Sequence, residues 1–235
     1  MTADYTGVSI CAAGPVALQA AKMLQEELRL RTGVLPTLVD MPKPPCIRLI
    51  CDAEISDKDI FRINTSDRCV TVAGQGIRAL IYGYSRFLRK AELDGEKINL
   101  TEPIDGEYRP AHSIRGHQLG CRDCSNTYDA WTVGQYTRYF LDLMAFGCNT
   151  VEHIPGSGGE KDKLMRYAQD DLCVEAAALA DTFDLDVSLW YPNDDLSVEE
   201  STAVRKAFFK RCPRLNVVFP PGGDPGHYPA VLRAC

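Results

Sequence analysis

The stretch that decides the fold is SIRGHQLGCRDCSNTYDAWTVGQYTRYFLDLMAFGCNTVEHIP, residues 113–155. It begins with a short alternating apolar run at 114–119, continues through a polar loop into an amphipathic helix, and ends in a second apolar run at 148–154. A strand, a helix and a second strand in this order predict a βαβ unit with parallel strands. Charged and aromatic side chains lie in or just after these strands, where α/β folds place their ligands. They are Arg115, His117, Arg122, Asp123, Glu152 and His153.

The same alternation of strand and helix continues after this stretch. The further predicted elements are a helix over 164–183, a strand over 186–191, a helix capped by Ser197 and Glu200, and a strand over 216–219. Repeated β-then-α units predict parallel strands, for which a barrel is the natural closure. Only about half of the roughly 250 residues of a (β/α)8 barrel follow His112. We therefore expect a partial (β/α)8 barrel of about four β/α units over 109–235, and we favour a fragment of a longer protein over a self-associating half-barrel.

The first hundred residues predict a smaller layer of a different kind. The predicted elements are a strand over 7–12, a helix from Pro15 to Gly33, a strand over 46–51, a hairpin of 61–65 with 69–73, and a helix over 77–88. We expect a small α+β domain over 1–108, in which two helices pack on a mostly antiparallel sheet. The polar segment 101–112, which contains two prolines, separates the two patterns.

One motif in this first domain matches a dinucleotide-binding fingerprint. Gly74, Gly76 and Ala79 stand at GxGxxA spacing between a strand and a helix. The fingerprint requires a parallel βαβ unit with an acidic residue at the end of the next strand, whereas this strand is the second arm of a predicted hairpin. We therefore favour glycines that allow a tight turn into the helix over a nicotinamide site.

Composition and charge exclude several classes of function. The formal net charge is −6, and the lysines and arginines are scattered, which disfavours nucleic acid and anionic membranes as partners. No apolar run approaches the roughly 18 residues that a membrane-spanning helix requires. The N-terminus lacks a basic segment followed by an apolar core, so we expect a cytoplasmic protein, or a secreted or periplasmic one if a signal was removed.

The ten cysteines have irregular spacing, and several fall inside predicted strands or helices. We expect reduced and mostly buried thiols rather than a disulfide framework. Cys121 and Cys124 form a CxxC pair without a second pair at metal-ligand spacing. We therefore expect no metal and no cofactor.

The carboxyl ends of the four predicted barrel strands form one mouth with the chemistry of a sugar site. Aromatic rings cover the apolar face of a pyranose, while carboxylates and guanidinium groups bind its hydroxyls. We predict Asp224 and Glu152 as catalytic candidates, because glycoside hydrolysis needs two groups that flank one bond. The predicted substrate-binding residues are Arg115, Arg122, Asp123, His153, Trp190, Tyr191 and His227. The alternative for Arg115 and Arg122 is that they form ion pairs with Asp123 and Glu152 at strand ends. The alternative for Trp190 is that it belongs to the barrel core.

Five segments of the chain resemble glycoside hydrolases. LQEELRLRTGVLPTL and VTVAGQGIRALIYGYSRFLR are similar to the non-catalytic domain before the barrel in family 20 hexosaminidases and in α-glucuronidases. IRGHQLGCRD and FGCNTVEHIP resemble the first two barrel strands of family 20, and PPGGDPGH resembles its Gly-Gly-Asp-Glu motif at strand four. The resemblance implies that Arg115 matches an arginine that binds sugar hydroxyls, whereas Pro225 stands where the family has its general-acid glutamate.

The leading hypothesis is a fragment of a glycoside hydrolase-like barrel that binds or hydrolyses a glycan. The alternative is a non-catalytic carbohydrate-binding or self-associating half-barrel, and a nicotinamide-dependent oxidoreductase comes last. We expect no glycosidase turnover from this chain alone, because half of the mouth is missing and Pro225 replaces the proton donor. Exposed strand edges predict a homo-oligomer or an aggregation-prone chain.

Overall fold

The computed structural model describes residues 3–119, 130–153, 167–190 and 196–219, with the side chains of Gln169 and Trp190 excepted. Contacts between Cα atoms divide the chain into two compact units. The first comprises Met1–Ser113 and Met144–Gly147, and the second comprises Ile114–Leu143 and Cys148–Cys235.

The first unit contains two sheets and two helices. Its elements are β1 (Ala3–Asp4), β2 (Ser9–Ala12), α1 (Pro15–Thr32), β3 (Leu38–Val39), β4 (Cys46–Cys51), β5 (Phe61–Ser66), β6 (Cys69–Gly74), α2 (Ile77–Lys90), β7 (Ala91–Asp94), β8 (Lys97–Leu100) and β9 (Gly106–Tyr108). Six strands form one sheet in the order β3-β2-β4-β6-β5-β9, and β1, β8 and β7 form a second.

The expectation of a mostly antiparallel sheet is wrong for the larger of these sheets. β2 pairs in parallel with both β3 and β4, and β4 pairs in parallel with β6. Only the pairings of β5 with β6 and with β9 are antiparallel. The reason is that α1 carries the chain back to the start of the sheet, so β3 and β4, the next strands in the chain, run in the same direction as β2.

The predicted hairpin of β5 and β6 is confirmed, and its turn explains its register. Asp67 and Arg68 have φ of 49° and 59°. Two consecutive residues with positive φ are typical of a type I′ turn, whose twist matches that of the flanking strands. Ser66 therefore pairs with Cys69 at the end of the ladder.

Helix α2 lies very close to the sheet, and two glycines make this approach possible. A Cβ on Gly83 would lie 2.2 Å from Val72 Cγ1, and one on Gly74 would lie 2.4 Å from Ala79 Cβ. Gly74 is the first glycine of the GxGxxA motif, so packing against the helix accounts for it without a nucleotide. Arg78, one residue before Ala79, is buried and forms an ion pair with Asp59 over 2.8 Å, from Nε to Oδ1.

The second unit is built from successive β/α units, as predicted. Its elements are β10 (Gly116–Leu119), α3 (Val133–Ala145), β11 (Thr150–His153), α4 (Gln169–Thr182), β12 (Asp186–Trp190), α5 (Val198–Arg211) and β13 (Val217–Phe219). The four strands pair in chain order, and every pairing is parallel. This is the arrangement of consecutive strands in a (β/α)8 barrel, so the predicted α/β class with a partial barrel is confirmed.

Capping boxes begin two helices of this unit, α3 and α5. The Gln135 N–H donates to Thr132 Oγ1 over 3.3 Å, and the Thr132 N–H donates to Gln135 Oε1 over 2.9 Å. Ser197 and Glu200 form the same reciprocal pair before α5. Each box satisfies backbone donors that have no partner within the helix.

The amino ends of the barrel strands are held by backbone clamps and an ion-pair cluster. Asn149 Oδ1 accepts from the Arg115 N–H over 2.9 Å, and Asn216 Oδ1 accepts from the Val187 N–H over 2.9 Å. Arg214 contacts three carboxylates, at 3.2, 2.6 and 3.0 Å. They belong to Asp181, Asp184 and Asp186. These contacts assign this edge of the sheet to stability, as is typical of the amino end of a barrel.

Candidate functional site

The structure describes only part of the predicted site. Glu152, His153 and Arg115 lie within the described residues, and Trp190 is described by its backbone alone. The predicted residues outside the described part of the chain are Arg122, Asp123, Tyr191, Asp224 and His227, as are Cys121, Cys124 and Pro225.

Glu152 lies at the centre of a row of three side chains that crosses three strands. Gln118 on β10 pairs with Glu152 on β11, which in turn pairs with Ser188 on β12. The Gln118 Nε2–H donates to Glu152 Oε1, and the Ser188 hydroxyl donates to Glu152 Oε2 over 3.1 Å. We call these three residues the Glu152 row.

The Glu152 row continues into an exposed apolar surface on β13. Val217 pairs with Ser188, and Phe219 pairs with Trp190 one step further toward the carboxyl end. The two side chains are 51% and 52% exposed, high values for apolar residues in a strand. Paired residues of neighbouring strands share a face, so the row and these two side chains form one surface, the Glu152 face.

His153 lies on the opposite face of the sheet, and its prediction as a pocket residue is wrong. It is 6% exposed, and its ring lies 5.8 Å from that of Phe140 and 6.2 Å from that of Tyr136, both on α3. Among the described residues, its Nε2 has no hydrogen-bond partner. Burial lowers the pKa of His153 to about 4, which keeps the ring neutral near pH 7. Successive side chains of a strand alternate between faces, so Glu152 and His153 cannot both line one mouth.

The position expected for Arg115 also needs correction. Arg115 lies one residue before β10, and its carbonyl accepts from the Asn149 N–H over 2.7 Å at the amino end of β11. Glu152, by contrast, is near the carboxyl end of its strand. Side chains that lie at opposite ends of parallel strands do not meet at one mouth.

His117 belongs to the packed side of the sheet rather than to the Glu152 face. It pairs with Val151, which is fully buried, and its Nδ1 is hydrogen-bonded to the Tyr139 hydroxyl on α3. Trp131 packs against Tyr139 with ring centroids 5.4 Å apart. These aromatic contacts account for His117 as a residue that fixes α3 against β10.

Sequence reasoning missed Gln118 and Ser188, the two partners of Glu152. Both are neutral residues in the middle of short strands, and neither belongs to a motif. The signal that could have found them is the alternation of faces combined with the interstrand register. The register follows only when the strand ends are known to within one residue.

Within the parts of the chain that the structure describes, no group of three or more His, Cys, Asp or Glu side chains is placed to hold a metal ion. None of the helices in these parts is both long and apolar enough to cross a membrane.

No family model matches the chain, and no curated protein sequence matches it either. Solved structures do resemble it. A family 20 β-N-acetylhexosaminidase from Streptomyces coelicolor matches 91% of this chain and 48% of its own, with a TM-score of 0.60 and 15% identity. A family 20 exo-β-N-acetylglucosaminidase from Vibrio harveyi, in complex with N-acetylglucosamine, matches 82% of this chain and 34% of its own, with a TM-score of 0.58 and 14% identity.

A family 138 glycoside hydrolase that targets pectin rhamnogalacturonan II matches 90% of this chain and 30% of its own, with a TM-score of 0.60 and 13% identity. The chain therefore spans less than half of the length of each of these three proteins. At this identity the likeness shows the fold, which is that of glycoside hydrolases, and does not distinguish one family from another.

Proposed function

We propose that this chain is a carbohydrate-active protein that binds a glycan on the Glu152 face. The observation that carries the proposal is the Glu152 carboxylate, which is held on a half-buried sheet face beside exposed apolar side chains. A buried or half-buried carboxylate without a cationic partner is costly to desolvate. Within the described residues no arginine, lysine or histidine forms an ion pair with Glu152, so a binding role explains its presence best.

The two parts of this surface suit the polar and the apolar contacts that a glycan makes. A carboxylate accepts charge-assisted hydrogen bonds from sugar hydroxyls, which are stronger than neutral ones. Exposed apolar side chains such as Val217 and Phe219 cover the C–H face of the ring. The similarity to the Vibrio harveyi enzyme, whose structure contains N-acetylglucosamine, supports a sugar as the ligand.

Hydrolysis is a separate part of the proposal. A glycosidase needs a second acidic group roughly 5 to 10 Å from the first, on the other side of the scissile bond. We propose Asp224 as the partner of Glu152, and Arg122, Asp123, Tyr191, Trp190 and His227 as further sugar ligands of the same mouth. Because Pro225 stands where the resembling family has its proton donor, we propose that this chain binds a glycan without hydrolysing it.

Calorimetric titration tests the binding proposal. The probes are methyl N-acetyl-β-D-glucosaminide, methyl β-D-glucoside and methyl β-D-glucuronide, each titrated into the wild-type chain, Glu152→Gln and Glu96→Gln. Glu96 is a matched control, because it is an exposed glutamate in the turn between β7 and β8. We expect saturable heat with at least one probe, and affinity weaker by about 10- to 100-fold in Glu152→Gln alone, from the loss of hydrogen bonds to a charged group.

Two outcomes of this titration would refute the proposal. One is the absence of saturable heat with every probe, which would remove sugars of these classes as ligands. The other is equal affinity in the wild type and Glu152→Gln, which would move the site away from the Glu152 face. Reduced affinity in Glu96→Gln as well would indicate a general effect of charge.

The second candidate function is self-association without catalysis, and the exposure of β13 favours it. β13 is the last strand of the described sheet, and its side chains Val217 and Phe219 are half exposed. An apolar edge strand with unpaired backbone groups is a template for pairing with a second copy. Light scattering across a concentration series distinguishes the two cases. A monomer at all concentrations that binds sugar would reject this candidate, whereas a dimer that Val217→Lys dissociates would support it.

A further inference from the structure

The hydrogen bonds within the Glu152 row assign a function to two residues that no sequence motif marks. Both oxygens of the Glu152 carboxylate are engaged by side chains from the flanking strands, one by Gln118 and the other by Ser188. The donors stand on opposite sides of β11, at the same level of the register. The two hydrogen bonds, one from each neighbouring strand, therefore fix the plane of the carboxylate and restrict its rotation about the last side-chain torsion.

The donors are neutral, and this matters for what the carboxylate can still do. A carboxylate offers about four acceptor positions, two on each oxygen. Among the described residues, Gln118 and Ser188 use one position on each oxygen, which leaves one on each for a ligand. Since neither donor carries a charge, the row does not neutralise the carboxylate as an arginine would.

We infer that Gln118 and Ser188 are positioning residues, which fix the Glu152 carboxylate so that its two oxygens accept from two neighbouring hydroxyls of a glycan. This inference rests on the proposed function, because it assigns the ligand that the Glu152 face receives. It specifies the ligand class as a pyranoside with a free vicinal diol. A ligand carboxylate is excluded from this position by repulsion between like charges.

The distances on the surface agree with a diol at this point and an apolar contact beside it. Val217 is one strand beyond Ser188 and two strands beyond Glu152, a separation of about 10 Å at the usual strand spacing. A glycan of two sugar rings can therefore contact both. Gln118 occupies the other side and is itself exposed, so its carbonyl oxygen can contact the same ligand.

The test combines variants of the row with changes in the ligand. We expect Ser188→Ala to bind methyl N-acetyl-β-D-glucosaminide about 3- to 10-fold more weakly than the wild type, as the loss of one supporting hydrogen bond predicts. Ser188→Thr keeps the hydroxyl and a strand-favouring side chain, and it should bind within about twofold of the wild type. In a Glu152→Gln background, Ser188→Ala should cost no further affinity, because the serine acts through the carboxylate.

The 3-deoxy and 4-deoxy analogues of the same glycoside test the diol. Each analogue should bind the wild type more weakly than the parent sugar does. In Glu152→Gln, each analogue should bind about as well as the parent sugar, because the hydroxyl that it lacks no longer has a carboxylate to bind. If removal of a hydroxyl from the sugar weakens binding equally in the wild type and in Glu152→Gln, the assignment of the diol to Glu152 is overturned. Additive losses from Ser188→Ala and Glu152→Gln would overturn the positioning role of the serine.

A second readout keeps this inference separate from the proposed function. The carboxylate stretching band of Glu152 is isolated as the infrared difference between the wild type and Glu152→Gln, measured without sugar. We expect the band to shift in Ser188→Ala and in Gln118→Met, and to return in Ser188→Thr. An unchanged band overturns the positioning role even if sugar binds. If the band shifts but the protein binds no glycoside, the proposed function and the assignment of a diol ligand are refuted. The hydrogen bonds from Gln118 and Ser188 to Glu152 are then confirmed without a sugar ligand.

Discussion

The burial of His153 predicts that the second unit loses stability as the pH falls. Its pKa is lowered from 6.5 to about 4 by burial, because the charged imidazolium cannot be solvated among the rings of α3. Between these two values the unfolded chain binds a proton at this residue and the folded chain does not. The free energy of unfolding therefore rises with pH in this range, and it falls on acidification from pH 6.5 toward pH 4.

The size of this effect follows from the two pKa values. A difference of one pH unit between the folded and unfolded pKa is equivalent to about 1.4 kcal/mol. The contribution lost on going from pH 7 to pH 5 is about 2 kcal/mol, and the loss reaches about 3 kcal/mol by pH 4. For a domain of ordinary stability this is a substantial fraction of the total.

Urea unfolding at several pH values between 7 and 4.5 measures this contribution. The only two tryptophans, Trp131 and Trp190, lie in the second unit, so their fluorescence reports the unfolding of the part that contains His153. The variant His153→Leu should lose about 2 kcal/mol less than the wild type between pH 7 and pH 5. His112→Gln is the control, since this histidine is exposed, and it should follow the wild type.

Equal pH dependence in the wild type and His153→Leu would refute the assignment of His153 to the packed face. A larger loss of stability in His153→Leu than in the wild type between pH 7 and pH 5 would contradict the sign of the linkage. Either result would indicate that the histidine is solvated in the folded protein and would restore the prediction that it lines a pocket.

Three further predictions concern stability. Arg78→Met should destabilise the first unit by about 3–5 kcal/mol, because it breaks the ion pair with the buried Asp59 carboxylate, and Asp59→Leu added to it should recover most of the loss. Thermal melts followed by circular dichroism test both. Gly83→Ala should cost about 1–3 kcal/mol in the same melts, since the new Cβ would overlap Val72, and full stability would show that α2 shifts freely. Ser197→Ala should cost about 0.5–2 kcal/mol in urea unfolding by removing the cap of α5, whereas Ser197→Asp should retain it.

The sequence by itself determined the local structure and the order of the elements. The hairpin of β5 and β6, the capping boxes before α3 and α5, and the alternation of strands and helices after residue 113 are all encoded by neighbouring residues. Apolar periodicity and helix caps act over a few positions, so they can be recognised without knowledge of the fold. The resemblance to glycoside hydrolases led to the same fold as the solved structures.

The tertiary structure alone decided which side chains meet. The sequence placed Glu152 and His153 in one mouth, and the pairing of β11 with its neighbours sends them to opposite faces. It placed Arg115 at the carboxyl end of a strand, whereas the clamp by Asn149 fixes it at the amino end. The parallel pairing of β2 with β4 likewise depends on how α1 returns the chain to the sheet.

The Glu152 row has the same physical origin. Gln118, Glu152 and Ser188 are each more than thirty positions apart in the chain, and no local pattern connects them. They become neighbours because hydrogen bonds between parallel strands fix the register to a single residue. A slip of one strand by one residue would turn the side chain that this strand contributes to the other face. The register of the sheet therefore determines the site, and no local sequence pattern specifies that register.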